Sequence, residues 1–203
     1  MRIYFIKTFY YAAHMFTFKK KYFVIINNTK DINLNKIRLN HKFFIVYRNK
    51  EKNEEIHKLL KFRMQCKNKG FKFLVANNLR LNSILKGDGI YLSSYNKSFK
   101  SLSLRKNKKI IIGSAHNIKE ISEKQKQGCN YIVVSKLFKV NYAPDEPFIG
   151  VVRFNNLIRF NRNIIPLGGI GLQNLNKMKI VTSEGFAIMS EIKKKPAIAS
   201  RLF

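Results

Sequence analysis

Eight short runs rich in Ile, Val, Phe and Tyr recur along this chain, and segments of helical periodicity separate several of them. They are Tyr22–Asn27, Phe43–Tyr47, Phe71–Ala76, Gly89–Leu92, Lys109–Gly113, Tyr131–Val134, Ile164–Leu167 and Phe186–Met189. Each is almost continuously apolar, the pattern of a strand covered on both faces. Between them, Glu54–Lys69 places Ile56, Leu59, Leu60, Arg63 and Met64 near one helical stripe. A second helix is expected over Ile118–Gly128, with Asn117 as N-cap and Gly128 as stop. A third, Leu172–Lys179, follows a Gly-rich turn. Strand–helix–strand repetition demands parallel pairing with right-handed crossovers. The expected fold is α/β, a single-domain (β/α)8 TIM barrel whose first and fourth crossovers are short. An open doubly wound sheet competes with it, but that fold wants G-x-G-x-x-G after its first strand. Asn27-Asn28-Thr29 offers none.

Residues 1–21 are aromatic and basic, and they stand apart from the barrel expected over residues 22–203. Their apolar centre is too short for a secretory signal. A leading helix across the bottom of the barrel is the expectation, with an organelle-targeting segment as the alternative. No apolar run reaches the roughly 18 residues of a membrane span, so the chain reads as soluble and cytoplasmic.

The formal net charge is +29, from 40 Lys and Arg against 11 Asp and Glu. Such a balance fits a nucleic-acid binder. The basic residues are scattered over the whole chain, however, and Lys, Asn, Ile, Phe and Tyr are all residues of A/T-rich codons. Compositional drift and a polyanion partner both remain open, and any nucleic-acid binding is expected to be non-specific. Cys66 and Cys129 lie far apart near expected helix ends and read as reduced, buried thiols. The four histidines share no metal-ligand spacing.

In a barrel of this kind the working residues sit at the C-terminal ends of the strands. The seventh run ends in Pro166-Leu167-Gly168-Gly169-Ile170-Gly171, and the eighth in Gly185-Phe186-Ala187-Ile188-Met189-Ser190. Glycines let the backbone approach a ligand, and free N–H groups at a helix start attract an anion. A phosphate site is therefore expected at Gly168, Gly169, Met189 and Ser190. The bland alternative is a pair of turns whose glycines serve packing alone.

Further stretches, in one register from Tyr22 to Ile192, carry a family resemblance. Val46-Tyr47-Arg48-Asn49-Lys50 is similar to Q-x-R-x-K, Val75-Ala76-Asn77-Asn78 to I-N-D, and Asp88-Gly89-Ile90-Tyr91-Leu92 to D-G-V-H-L. Gly113-Ser114-Ala115-His116 is similar to G-x-S-x-H, Gly128-Cys129-Asn130-Tyr131-Ile132 to G-A-D-Y-I, and Ser135-Lys136-Leu137-Phe138 stands where G-P-I-F would be. With the closing GGI and G-x-A-x-x-S, the chain resembles the thiamine phosphate synthases and their TenI-like thiazole tautomerase relatives. The resemblance implies condensation of hydroxymethylpyrimidine diphosphate with thiazole phosphate, releasing pyrophosphate with Mg2+ assistance. It implies that Arg48 and Lys50 hold the diphosphate and that Asn77 and Ser114 touch pyrophosphate oxygens. Gly168, Gly169, Met189 and Ser190 would cradle the thiazole phosphate, and His116 would move a proton as in TenI-like proteins.

The departures are equally specific. Asn78, and less certainly Asn96, stand where the family has Mg2+-binding aspartates, and neutral amides lack the charge a hard cation depends on. Val46 replaces a glutamine. Val140-Asn141-Tyr142-Ala143 stands where T-x-T-K would be, and Lys139 compensates only by a shift. Three readings stay open: a divergent synthase, a TenI-like tautomerase or non-catalytic binder of a thiazole or pyrimidine phosphate, and a basic barrel that binds nucleic acid or protein.

Overall fold

A computed structural model describes residues 21–37, 42–49, 51 and 54–189. Eight parallel strands close into a barrel in sequence order. They are β1 (Lys21–Ile26), β2 (Phe43–Tyr47), β3 (Lys72–Ala76), β4 (Gly89–Leu92), β5 (Ile110–Ala115), β6 (Tyr131–Ser135), β7 (Ile164–Leu167) and β8 (Gly185–Ile188). The helices are α1 (Ile56–Asn68), α2 (Leu79–Ile84), α3 (Ser103–Lys106), α4 (Ile118–Lys126), α5 (Val151–Phe160) and α6 (Leu175–Met178). The expected TIM barrel is the observed one. All eight runs became strands, and the barrel closes where β1 pairs with β8. The first crossover holds only two single 3-10 turns among its described residues, and the fourth only a 3-10 turn and the four-residue α3. The leading segment lies outside the described residues, except that Lys21, assigned to it from the sequence, is the first residue of β1.

Successive strand residues point to opposite faces, and both faces here are dry. Phe23, Ile25, Phe44, Val46, Leu74, Tyr91, Ile112, Val133, Ile165 and Ala187 form the cluster inside the barrel. Phe23 stacks on Phe44 at 4.7 Å between ring centroids, with Tyr131 edge-on at 5.4 Å. Intervening residues such as Tyr22, Phe43, Phe73 and Phe186 form the layer beneath the helices. A strand buried on both sides needs apolar residues at every position, which is why these runs do not alternate.

One helix faces differently from its sequence expectation. In α1 the buried residues are Leu59, Phe62 and Cys66. Ile56, Leu60 and Met64 of the expected stripe are 49%, 43% and 58% exposed. The large Phe62 ring decides the matter by packing edge-on against Phe73 at 6.0 Å. That choice turns the helix by about one residue, or ~100°. Arg63 then reaches Asp88 at 3.0 Å, and Asp88 also accepts the Phe73 N–H at 2.8 Å, tying α1 to the N-terminal ends of β3 and β4.

Both cysteines are free. Cys66 is fully buried, and burial pushes each thiol up to about 12. A thiolate is the reactive form, so neither thiol should react with Ellman's reagent in the native protein at pH 8 within minutes. Both should react once guanidinium unfolds the chain. Prompt labelling of the native state would contradict the packing described.

Candidate functional site

The turns after β7 and β8 lie at the same end of the barrel. Leu167 pairs with Ala187 in parallel register, so Gly168 and Met189 leave neighbouring strands side by side. Gly168 and Gly169 have φ of 96° and 67°, the left-handed region that suits glycine. A Cβ on Gly169 would stand 2.5 Å from the Lys139 carbonyl oxygen and 2.7 Å from that of Phe138. The turn's carbonyls are occupied: Phe138 N–H donates to Gly168 at 3.0 Å, and the Asn174 amide donates to Gly169 at 2.6 Å. Among the described residues, the N–H groups of Gly169, Ile170 and Gly171 donate to nothing. Acceptors satisfied and donors free is the arrangement an oxyanion needs. Ser190 lies outside the described residues. Lys139 offers its carbonyl as the wall behind Gly169, while its side chain is exposed.

A second polar group stands at the same end. Arg48 follows β2, and its N–H donates to the Ile26 carbonyl at 2.8 Å. It shares strand parity with the interior residues Phe44 and Val46, and it lies close enough to Tyr91 to perturb the phenol electrostatically. Tyr91, 1% exposed, pairs in register with Ile112, whose face of β5 Ser114 shares, and burial raises the Tyr91 pKa above the ordinary phenol value. Arg48, Tyr91 and Ser114 thus share the interior face of the barrel toward its C-terminal end. Parity along β4, where Gly89, Tyr91 and Ser93 share a face, was the available signal. Lys50 lies outside the described residues.

Asn77 adopts a φ of 55°, a conformation that Asn tolerates better than most residues. Its amide nitrogen donates to Ser93 Oγ at 2.7 Å and to Tyr95 OH at 3.0 Å. Its amide oxygen accepts from Ser93 N–H and from the Asn96 side chain, both at 3.0 Å. The loop after β4 is thereby fastened to the end of β3.

Comparison with known proteins turns this geometry into a lineage. Residues 25–192 match the family described as thiamine monophosphate synthase. The chain belongs to that family. A thiamine-phosphate synthase of Prochlorococcus marinus is 28% identical over 165 residues, covering 77% of this chain and 47% of that protein. One from Clostridioides difficile is 25% identical over 151 residues, covering 73% of this chain and 72% of the relative. The chain therefore spans about half the length of the first relative and nearly three-quarters of the second. A thiamine phosphate pyrophosphorylase from Pyrococcus furiosus superimposes with a TM-score of 0.67 at 17% identity, covering 91% of this chain and 94% of that one. A 4-hydroxy-2-oxoglutarate aldolase also superimposes, at 0.57 and 11% identity, covering 93% and 97%. Likeness of backbone at this identity shows the barrel and no more.

Family membership implies Mg2+, and the residues at the two expected positions do not fit it as they stand. Asn78 Oδ1 accepts the Leu81 N–H at 2.9 Å as the N-cap of α2. Asn96 Oδ1 accepts the Ser98 N–H at 3.0 Å. Both neutral oxygens are engaged in shaping the backbone, and among the described residues no three His, Cys, Asp or Glu gather into a metal site. Mg2+ favours carboxylates and near-ideal octahedral geometry, which two capping amides do not supply.

His116 sits on the loop between β5 and α4. Its N–H donates to Glu120 Oε2 at 2.8 Å, and its ring Nδ1 lies 3.0 Å from the same oxygen. Burial opposes ionisation of Glu120, but the backbone and ring contacts from His116 outweigh it and hold the carboxyl below its ordinary value. Asn117 caps α4 as expected, accepting the Glu120 N–H at 2.9 Å. The His116 side chain, 54% exposed, borders a groove of about 910 Å³ between α4 and α5, lined by Ile118, Phe148 and Leu157. No hydrogen bond joins it to Ser114 among the described residues. Among the described residues no helix is long and apolar enough to cross a membrane.

Proposed function

We propose that the chain is a cytoplasmic, thiamine phosphate synthase-type transferase that condenses hydroxymethylpyrimidine diphosphate with thiazole phosphate and releases pyrophosphate. The observation that carries this reading is two anion-oriented groups at one barrel mouth. The free Gly169–Gly171 amides suit one phosphate, and the Arg48–Tyr91–Ser114 group suits a second, more highly charged one. A two-substrate reaction between a diphosphate and a monophosphate needs that pairing.

Binding at two fixed points aligns the reacting groups and removes most of the entropic barrier to their encounter. As the bond to the diphosphate breaks, negative charge grows on the leaving group. Arg48 meets it with a planar fork of donors and Lys50 with a point charge, while Ser114 supplies a hydroxyl from the interior face of β5. Asn77, whose amide is spent on Ser93, Tyr95 and Asn96, fixes the loop after β4 at this end of the barrel. Gly168, Gly169, Met189 and Ser190 hold the acceptor's phosphate, and Lys139, expected at the pyrophosphate end, lends only its backbone carbonyl behind that turn.

The test is direct. Purified protein given both precursors should release pyrophosphate and form thiamine phosphate, and silence beside an active synthase would refute the proposal. Arg48→Met should lower kcat/KM about 10- to 100-fold, the loss expected when a hydrogen bond to a charged group is removed.

The neutral pair Asn78 and Asn96, with the His116–Glu120 couple, favours a second reading. This is a TenI-like tautomerase in which His116 moves the proton, or a non-catalytic binder. Calorimetric binding of thiazole phosphate without turnover of both precursors would select it.

A further inference from the structure

Lys124 is a charged residue with 0% exposure, and the reaction just described gives it no role. It lies on α4 and packs on the helix-facing side of β5: a Cβ on Gly113 would meet its Cγ and Cδ at 2.8 Å. Its ammonium donates to the Asn96 carbonyl at 2.6 Å and to Gln127 Oε1 at 2.9 Å. Gln127 reinforces the contact, donating to the Asn96 carbonyl at 3.0 Å and the Ser98 carbonyl at 2.9 Å. Among the described residues no carboxylate pairs with Lys124. Burying a cation whose direct contacts are neutral oxygens is costly, and burial lowers its pKa despite the nearby charges of Glu123 and Glu120.

The clamp leads to the mouth in two steps. Lys124 holds the Asn96 backbone, and the Asn96 side chain donates to Asn77 Oδ1 at 3.0 Å. Asn77 in turn fastens the loop after β4 at the end where the diphosphate is proposed to bind. Charge is consistent with this path. Two carboxylates and a divalent cation cancel, whereas two amides and one ammonium leave a single positive charge. A carboxylate at position 96 would neutralise Lys124, and two carboxylates without metal would repel a diphosphate.

We propose that Lys124 is the positioning residue and fixed cation of the diphosphate end, holding Asn96 and Asn77, and with them the loop after β4, in place around a pyrophosphate group and making a divalent cation dispensable for its binding. This rests on the transferase reading above.

Calorimetry with sodium pyrophosphate and, separately, inorganic phosphate tests it on the full chain. The wild-type protein should bind pyrophosphate equally well in EDTA and in Mg2+. Lys124→Met should weaken pyrophosphate binding about tenfold or more and leave inorganic phosphate, held by the Gly168–Gly169 turn, within about twofold. A general loss of packing would weaken both ligands alike. If circular dichroism shows that Lys124→Met does not fold, Asn96→Asp decides, because its carboxylate should cancel the ammonium and abolish metal-free pyrophosphate binding. Unchanged affinity in the decisive variant, or a wild-type requirement for Mg2+, overturns the inference while leaving the transferase reading intact. A wild-type protein that binds neither anion overturns both.

Discussion

Gly169→Asp is expected to abolish thiazole-phosphate binding, weakening it by about 100-fold or more. Juxtaposed like charges cost several kcal/mol, and each 1.4 kcal/mol is a factor of about ten in affinity. Two effects act together. The carboxylate would stand beside the free amides that a phosphate would use, and any Cβ at this position would meet the Lys139 carbonyl oxygen at 2.5 Å. Gly169→Ala separates them. It introduces the clash and the strain of a left-handed φ, about 1–3 kcal/mol, without the charge. Alanine should therefore lower the melting temperature and weaken binding moderately, and aspartate should add the electrostatic loss. Calorimetry and a thermal melt on both variants read the difference. A folded Gly169→Asp protein that bound thiazole phosphate like the parent would remove the phosphate site from this turn.

The second large effect concerns the barrel. Phe23→Ala should destabilise the protein by about 3–5 kcal/mol, the usual cost of deleting a buried aromatic side chain. Total stability of a domain is only about 5–15 kcal/mol. Phe23 is 0% exposed and in contact with both the Phe44 and Tyr131 rings, so two strands besides its own lose a packing partner. Urea denaturation monitored by far-ultraviolet circular dichroism gives the value. A change below about 1 kcal/mol would mean that the inner cluster repacks around the cavity.

How far the sequence could be read depended on the range of the interactions. The strand runs were legible because burial on both faces leaves its mark on adjacent residues. The Asn117 cap was legible for the same reason, since cap and capped amide are three residues apart. The two glycine turns could be placed at one end of the molecule from order alone, because parallel strands send every second connection to the same side. The α1 stripe was misread. Several rotations of an amphipathic helix satisfy a 3.6 period, and only the position of Phe73 on a neighbouring strand selects Phe62 and Cys66 over Ile56 and Met64.

The sequence by itself determined the alternation of strand and helix, hence a parallel closed sheet, and the end of that sheet where chemistry can occur. Only the tertiary structure decided which side chains meet there. Tyr91 comes from another strand to the face that Ser114 shares, and Asn78 and Asn96 spend their oxygens on backbone N–H groups. Lys124 clamps a loop 28 positions away in the chain. Periodicity is written in neighbouring residues, whereas hydrogen bonds between distant segments exist only after the chain has closed.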